Sequence, residues 1–362
     1  MGFSLRFVFA QADNRSISRE NPIRTAAETA AALRFDRSDA RLGHVVRVLS
    51  DNAMMVISGT KIADEIGATR SEVWRLVEQL RELGVEITGH AATGYQLAKV
   101  PDLPLPEVLE SALRGTMFAK KVHHFFRVGS TNAEAMQAAA NGAADGSVFL
   151  AEEQTAGRGR GGHIWTSPAS TGIYCSVVLR PSLTPGDALL LSLMTGLAVL
   201  SAVEQVTGVK ADLRWPNDLL IGDKKFCGIL TEMNAEVTRV RYAVIGIGIN
   251  VNQWEFPAEL AEIATSLRLE AGREWSRIEL TSALLQSLDR EYRALTLDVN
   301  AARAEIFRRF ESASSYAFGK HVTVDEDGGY EGVTAGLDEH GFLKVKTGTG
   351  TKIVLSGSVR PK

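Results

Sequence analysis

The sequence predicts an α+β protein in three folded parts: a winged helix-turn-helix, a central mixed α/β domain and a small C-terminal barrel of the SH3-like kind. Three observations predict it. Residues 43–100 hold helical periodicities followed by a hairpin pattern. Residues 104–314 alternate helical and extended patterns. Residues 316–362 alternate as short strands between glycine-containing turns. A chain of 362 residues has room for two or three such units.

The chain opens with an apolar run at 5–10, but 11–24 is polar and charged and offers no small-residue cleavage site. Residues 1–42 are therefore expected to be a poorly ordered extension, or the product of a start codon placed too early, rather than a signal peptide. Val45, Val46, Val48 and Leu49 then predict a first short helix. A second is expected over about 61–66, with Thr60 as N-cap and Gly67 just past its end. Thr69 and Glu72 fit a capping box for a third helix, whose Val73, Leu76, Val77, Leu80 and Leu83 form one apolar stripe. Gly89 and Gly94 mark the turn region of a hairpin wing.

This order suggests DNA reading by the third helix, with Arg70, Ser71, Trp74 and Arg75 as the contacting residues. The alternative is a protein-interaction module. Residues 43–99 hold six basic and seven acidic side chains, net −1, so the isolated unit would bind phosphates weakly; a dimer presenting two helices would bind better. Pro101, Pro104 and Pro106 stiffen the connection to the next domain.

Composition narrows the function classes. With 40 Lys and Arg against 43 Asp and Glu, net −3, bulk charge gives no reason to expect nucleic-acid or membrane adhesion. Cys175 and Cys227 are the only cysteines, too few for a disulfide framework, and neither a CxxC pair nor HExxH announces zinc. The longest apolar stretch, 188–203, is interrupted by Ser, Thr and Gly and falls short of the roughly 20 residues a membrane helix needs. A soluble cytoplasmic protein with no membrane partner is expected.

The central domain holds the chemistry-bearing motifs. Gly129-Ser130-Thr131-Asn132 precedes an alanine-rich helix, with Thr131 and Glu134 spaced as a capping box; the helix start suits a polar or anionic ligand, or simple capping. An apolar strand at 148–152 runs into Gln154-Thr155-Ala156-Gly157-Arg158-Gly159-Arg160-Gly161-Gly162. So many glycines favour neither helix nor strand, and Arg158 and Arg160 are placed to close on an anion. A surface Arg-Gly segment or RNA-binding stretch is the alternative; one short copy without interleaved aromatics, just before Trp165, fits an enclosed ligand better.

Next, Arg214-Trp215-Pro216-Asn217-Asp218 leads through a Gly222-Asp223 turn into Lys224-Lys225, a hairpin pattern that turns one lysine in and its neighbour out. Lys225 is the candidate carboxylate or phosphate ligand, Lys224 the solvated alternative. Val244-Ile245-Gly246-Ile247-Gly248-Ile249-Asn250 reads as a buried strand. It lacks the third glycine of a dinucleotide fingerprint, so its glycines admit a ligand or another backbone. No GxxxxGK[ST] loop occurs. In the strand at 171–176, Cys175 reads as packing, with no base to activate it.

These five motifs, in this order, resemble the biotin–protein ligase family, also called biotin-[acetyl-CoA-carboxylase] ligase. With the winged helix in front, they resemble its two-function ligase and repressor form, from residue 43 to the C-terminus. The resemblance implies a central domain of the class II synthetase-like, biotin–lipoyl ligase type. It implies that biotin and ATP–Mg²⁺ give biotinyl-5′-adenylate, and that the acyl group then passes to a lysine of a biotin carboxyl-carrier protein. Biotin, ATP and Mg²⁺ are on this view substrates rather than bound prosthetic groups, and no metal-ligand set of the protein's own is expected. Ser130, Thr131, Asn132 and Gln154 match the family's biotin-site motif. Arg158, Gly159 and Arg160 match the loop that folds over biotin and adenylate, and Lys225 the lysine on the carboxylate. Asn217, Asp218 and Asn250 match positions near nucleotide or metal; Trp165 and Ser176 are expected to line the biotin pocket. Operator DNA and a second copy of the chain are the other implied partners.

Three departures stand out. His163-Ile164 follows the loop where many relatives are basic, Arg214 stands where Lys is frequent, and the wing reads Ala92-Thr93-Gly94-Tyr95 where relatives often place a lysine before the glycine. The last, with the −1 charge, bears on repression more than on catalysis. After one helical stretch near 290–310, strands are expected at 322–324, 329–335, 342–345 and 352–355, with turns at 327–329, 339–341 and 348–350. This barrel is expected either to support ATP or carrier engagement or to act as a stabilising lid. Lipoate or octanoate ligation, and a repressor without catalysis, are the competing functions. The Arg-Gly loop and winged helix favour biotin over lipoate, and retention of Arg158, Arg160 and Lys225 favours catalysis.

Overall fold

The computed structural model describes residues 26–53, 55–90, 93–326 and 328–362. Expectations about residues 1–25, Ala92 and Asp327 lie outside the described residues.

Helix α1 spans Ala26–Asp51, so the expected first short helix is 26 residues long and the expected break at residue 42 falls inside it. Helix α2, Gly59–Ile66, starts two residues earlier than its expected core because Ser58, not Thr60, is the N-cap: Ser58 Oγ accepts from Lys61 N at 3.1 Å. Gly67 takes the left-handed conformation expected past the end (φ 63°). Helix α3, Arg70–Glu82, is capped by Thr69, which accepts from Glu72 N at 3.2 Å. The Glu72 carboxylate does not close the box; it pairs with Arg41 of α1 and lies 3.9 Å from Arg75. Strands β1 (Ile87–His90) and β2 (Gly94–Leu97) form the antiparallel wing. Val73, Leu76, Val77, Leu80 and Leu83 are buried as the stripe requires, while Arg70, Ser71, Trp74 and Arg75 are exposed.

The proline-punctuated connection is more than a spacer. Leu103 and Leu105 enter the winged-helix core, together with Phe126 from the next domain. Each such buried side chain contributes roughly 1.5–3 kcal/mol, so the winged helix is fastened to its neighbour by apolar packing.

After a short helix α4 (Pro106–Leu109), a seven-stranded mixed sheet forms in the order β3-β4-β5-β9-β8-β7-β6. Its strands are β3 (Val122–Val128), β4 (Val148–Gln154), β5 (Gly172–Leu179), β6 (Asp212–Arg214), β7 (Asp218–Ile221), β8 (Lys224–Ala235) and β9 (Val240–Asn250). Only β3 and β4 are parallel; the other neighbours are antiparallel. Alternation along the strands divides the faces. Ile173, Cys175, Val177 and Leu179 join one large core with helices α6 (Leu189–Thr207), α8 (Arg277–Leu297) and α9 (Val299–Ala313). Phe149, Val178 and Val244 turn to the opposite face, against Ala135 and Ala139 of α5 (Thr131–Ala140). Helix α5 covers only part of that face. The uncovered part carries Gly228, Gly246 and Gly248, and there the candidate site lies.

Segment Pro185–Thr207 is long and apolar enough to cross a membrane, contrary to the expectation from its Ser, Thr and Gly, yet most of it is buried inside the protein. The helical stretch expected near 290–310 is two helices, broken at Asp298, whose carboxylate accepts from Asn300 N and Ala301 N at 3.0 Å and so caps α9. A small helix α7 (Leu267–Ala271) precedes them. The C-terminal strands β10 (Phe318–Asp325), β11 (Tyr330–Leu337), β12 (Leu343–Thr347), β13 (Gly350–Val354) and β14 (Ser358–Pro361) form a five-stranded antiparallel sheet, β14 being the strand missed from sequence. Val322, Val324, Val345 and Val354 share the main core. Trp215 Nε1 donates to Gly341 O at 2.9 Å, a further tie between the two domains.

Candidate functional site

The start of α5, the end of β4, the glycine-rich loop and the middles of β5, β8 and β9 surround a hollow of about 450 Å³ counted to its open mouth. Ser130, Thr131, Asn132, Gln154, Arg158, Gly159, Arg160, Trp165, Asn217 and Lys225 all face it.

Its polar end is a chain of fixed hydrogen bonds. Ser130 is the N-cap of α5, one residue before the expected Thr131, and makes no side-chain cap. Thr131 is instead turned inward. Its N and Oγ1 donate to Gln154 Oε1 at 2.9 and 3.1 Å, and Gln154 Nε2 donates to Ser167 Oγ at 2.9 Å. A residue that could have served the helix is thus committed to the hollow. Ser176 does not face the hollow; it stands behind, with Oγ 2.7 Å from Thr131 Oγ1 and 2.6 Å from Asn132 Oδ1. Asn132 Nδ2 donates to Glu232 Oε2 at 2.8 Å. Gly246 is required here, because a Cβ at that position would overlap the Asn132 amide.

The floor is built for a flat ring. Trp165 lies on the strand backbone: a Cβ at Gly248 would come within 2.5 Å of its indole, and one at Gly228 within 3.0 Å. Trp165 Nε1 is buried without a hydrogen-bond partner among the described residues. Lys225 Nζ sits 5.4 Å from the Trp165 ring centroid and 2.6 Å from Asp218 Oδ1. Of the paired lysines, Lys225 faces the hollow while Lys224 Nζ donates to Ala261 O at 2.8 Å. Asp218 lies behind Lys225 and also holds Arg214, at 2.7 Å. Burial alone would raise the Asp218 pKa, but the Lys225 and Arg214 charges outweigh it and hold the carboxyl below its ordinary value.

The glycine-rich loop ends in a 3-10 turn at Arg160–Gly162. Arg160 Nη1 donates to Asn217 Oδ1 and Nη2 to Ser356 O, both at 3.0 Å, while Asn217 Nδ2 is fixed on Ile229 O at 2.8 Å. Arg158 is exposed at the mouth, its guanidinium unpaired among the described residues. Three cations thus converge on a space lined by no carboxylate among the described residues, with Asp218 behind Lys225 already paired, an arrangement that favours an anionic ligand. Cys175 also borders the hollow, but burial pushes its thiol up to about 12, as expected of a packing residue.

Asn250 is the expected site residue found elsewhere. It is buried at the end of β9, its Nδ2 donating to Thr265 O and its Oδ1 accepting from Gln253 Nε2, and it does not face the hollow. Its amide is spent on shaping the loop after β9. Sequence reasoning missed Tyr174, Ile229 and Leu230 as lining, and a buried ionic node beside the site. In that node Glu152 Oε2 lies 2.8 Å from Arg277 Nη1, Glu152 Oε1 lies 2.9 Å from His124 Nε2, and Ser170 Oγ reaches both Glu152 and Leu83 O of the winged helix. A carboxylate inside an otherwise apolar strand was the available signal. Among the described residues no group of three or more His, Cys, Asp or Glu is arranged to hold a metal ion.

Comparison with known proteins matches three segments of the chain. Residues 127–250 match the biotin/lipoate A/B protein ligase family, 41–96 an HTH domain and 317–360 the biotin protein ligase C-terminal domain. The bifunctional ligase/repressor BirA of Bacillus subtilis is 34% identical over 320 residues, covering 87% of this chain and 97% of the relative. The chain belongs to the biotin protein ligase family. Another relative of this ligase is the biotin–[acetyl-CoA-carboxylase] ligase of Mycobacterium tuberculosis, 36% identical over 64% of this chain and 86% of its own length. Among solved structures, the Aquifex aeolicus biotin protein ligase in complex with biotin and ATP superposes with a TM-score of 0.58 and 31% identity, over 67% of this chain and all of that one.

Proposed function

We propose that this ligase makes biotinyl-5′-adenylate from biotin and ATP and then transfers biotin to a lysine of a biotin carboxyl-carrier protein. The observation that carries the reading is the convergence of Arg158, Arg160 and Lys225 on a hollow with a Trp165 floor and an amide-lined far end. Ser130, Thr131, Asn132 and Gln154 take the polar end of biotin, Trp165 its ring face, and Lys225 its carboxylate. Asn217 and the closing residues Arg158, Gly159 and Arg160 take the nucleotide, with Asp218 holding Lys225 in place.

In the first step a biotin carboxylate oxygen bonds to the α-phosphorus of ATP and the bond to the β-phosphate oxygen breaks, releasing pyrophosphate. A carboxylate and a triphosphate repel each other, and fixed cations offset that repulsion before charge develops. In the second step the carrier amine attacks the acyl carbon, gives up a proton and expels AMP. No enzyme nucleophile is needed, which fits the inert Cys175. Mg²⁺ enters as the ATP complex rather than in a protein cage, because no carboxylate lines the hollow among the described residues and Asp218, behind Lys225, is occupied by Lys225 and Arg214. Biotin-dependent pyrophosphate release from ATP, measured without carrier protein, is the test; none from folded enzyme contradicts the reading.

A second reading concerns the winged helix. Arg70, Ser71, Trp74 and Arg75 are exposed together on α3, which supports operator recognition by a pair of these helices in a homodimer, with biotinyl-adenylate as the signal. A mobility shift at low salt, with and without biotinyl-adenylate, tests it; no shift with the operator sequence contradicts it. The assigned units are 43–100 for DNA binding, 104–314 for ligation and 316–362 for the barrel. The two cysteines, both free and buried, fit a cytoplasmic location.

A further inference from the structure

The contact between Arg160 and Ser356 joins the glycine-rich loop to the C-terminal barrel, and the turn that makes it is itself held. Ser356 lies between β13 and β14. Leu355 N donates to the Glu326 carboxylate at 3.1 and 3.2 Å, Ser356 N donates to Oε1 at 2.7 Å, and Ser356 Oγ lies 3.2 Å from the same oxygen. Bonds from N–H groups to a carboxylate are among the stronger hydrogen bonds. Gly357 lets the turn come down on its anchor: a Cβ there would meet Glu326 Cβ at 2.9 Å and Asp325 O at 3.0 Å. With its N–H groups drawn to Glu326, the turn presents the Ser356 carbonyl to the loop, where Arg160 Nη2 meets it at 3.0 Å. The other guanidinium nitrogen is on Asn217.

We propose that Glu326 is a positioning residue for adenylation: it fixes the 355–357 turn so that the Ser356 carbonyl and Asn217 together hold Arg160 over the hollow before substrates arrive. The barrel thereby acts on catalysis through one backbone carbonyl. The inference rests on the reading of Arg160 as an adenylation group. Loss of one such hydrogen bond changes a rate by about tenfold.

The test uses the full chain with Glu326→Ala, Glu326→Gln, Arg160→Ala and the Glu326→Ala/Arg160→Ala pair, in two readouts. Adenylation is followed by pyrophosphate release. Anchoring is followed in ligand-free protein by trypsin, as the ratio of cleavage after Arg160 to cleavage after the unpaired Arg158. Glu326→Ala should slow adenylation about tenfold, Glu326→Gln less, and the pair no more than Arg160→Ala alone, because both act through one side chain. The Arg160-to-Arg158 cleavage ratio should rise in Glu326→Ala. Additive losses in the pair with an unchanged ratio would overturn the proposal. A wild-type rate for Arg160→Ala would overturn instead the reading of Arg160 as an adenylation group, while the cleavage ratio still decides whether Glu326 anchors it.

Discussion

Replacing Arg277 by Ala removes the cation from the ionic node beneath the winged helix. Glu152 has no exposed surface and Arg277 is 2% exposed; the guanidinium serves Glu152, Gly172 O and both the carboxylate and carbonyl of Asp102. Burial by itself would raise the Glu152 pKa, but Arg277 and then His124 outweigh it and pull the carboxyl down from 4.5 to about 2. A depressed acid contributes stability above its unfolded pKa and loses it as pH falls through the folded value. The ionised Glu152 carboxylate therefore contributes about 3 kcal/mol of pH-dependent stability near neutrality, relative to its protonated form, fading between about pH 4.5 and 2. Arg277→Ala leaves a buried carboxylate uncompensated and should cost about 3–5 kcal/mol in urea unfolding at pH 7. Replacing both charges together, Glu152→Gln with Arg277→Met, should recover much of that loss. A single variant within about 1 kcal/mol of wild type, or a double variant worse than Arg277→Ala, would refute the assignment of the node as a charge-compensated clasp.

Other outcomes follow from the site. Gly248→Ala should push Trp165 off the strand and weaken biotin binding about tenfold or more in calorimetric titration while the protein stays folded. Cys175→Ala should leave the biotinylation rate within about twofold of wild type, since no step uses the thiol; a loss of about a hundredfold in folded protein would contradict its reading as a packing residue. Arg75→Ala should weaken DNA retention and flatten its salt dependence by about one unit of log–log slope, and leave pyrophosphate release unchanged.

The winged helix was legible because its signals are local: the stripe from Val73 to Leu83, the Thr69 cap and the wing glycines each act within a few residues. The α1 boundary was less so, since the residues before 43 carry no apolar periodicity like that at 45–49. The site was legible wherever glycine or charge density marks a strand or loop, as at Gly157–Gly162, Lys225 and Gly246. Arg277 was not, because its meaning comes from Glu152, which lies far along the chain and meets it only once the sheet and α8 are packed. Asn250 shows the opposite error. A motif residue beside the site strand turns its amide to the loop at Thr265 rather than to the hollow. Thr131 likewise matched a capping pattern but serves Gln154, because tertiary hydrogen bonds outbid a local cap.

The central claim is tested most directly by intact-mass spectrometry of a purified biotin carboxyl-carrier domain incubated with this ligase, biotin and ATP–Mg²⁺. The account predicts a mass gain of one biotin, lost or strongly slowed when Arg158 or Lys225 is replaced by Ala. No gain with folded enzyme and several carriers, or full activity in both variants, would contradict it.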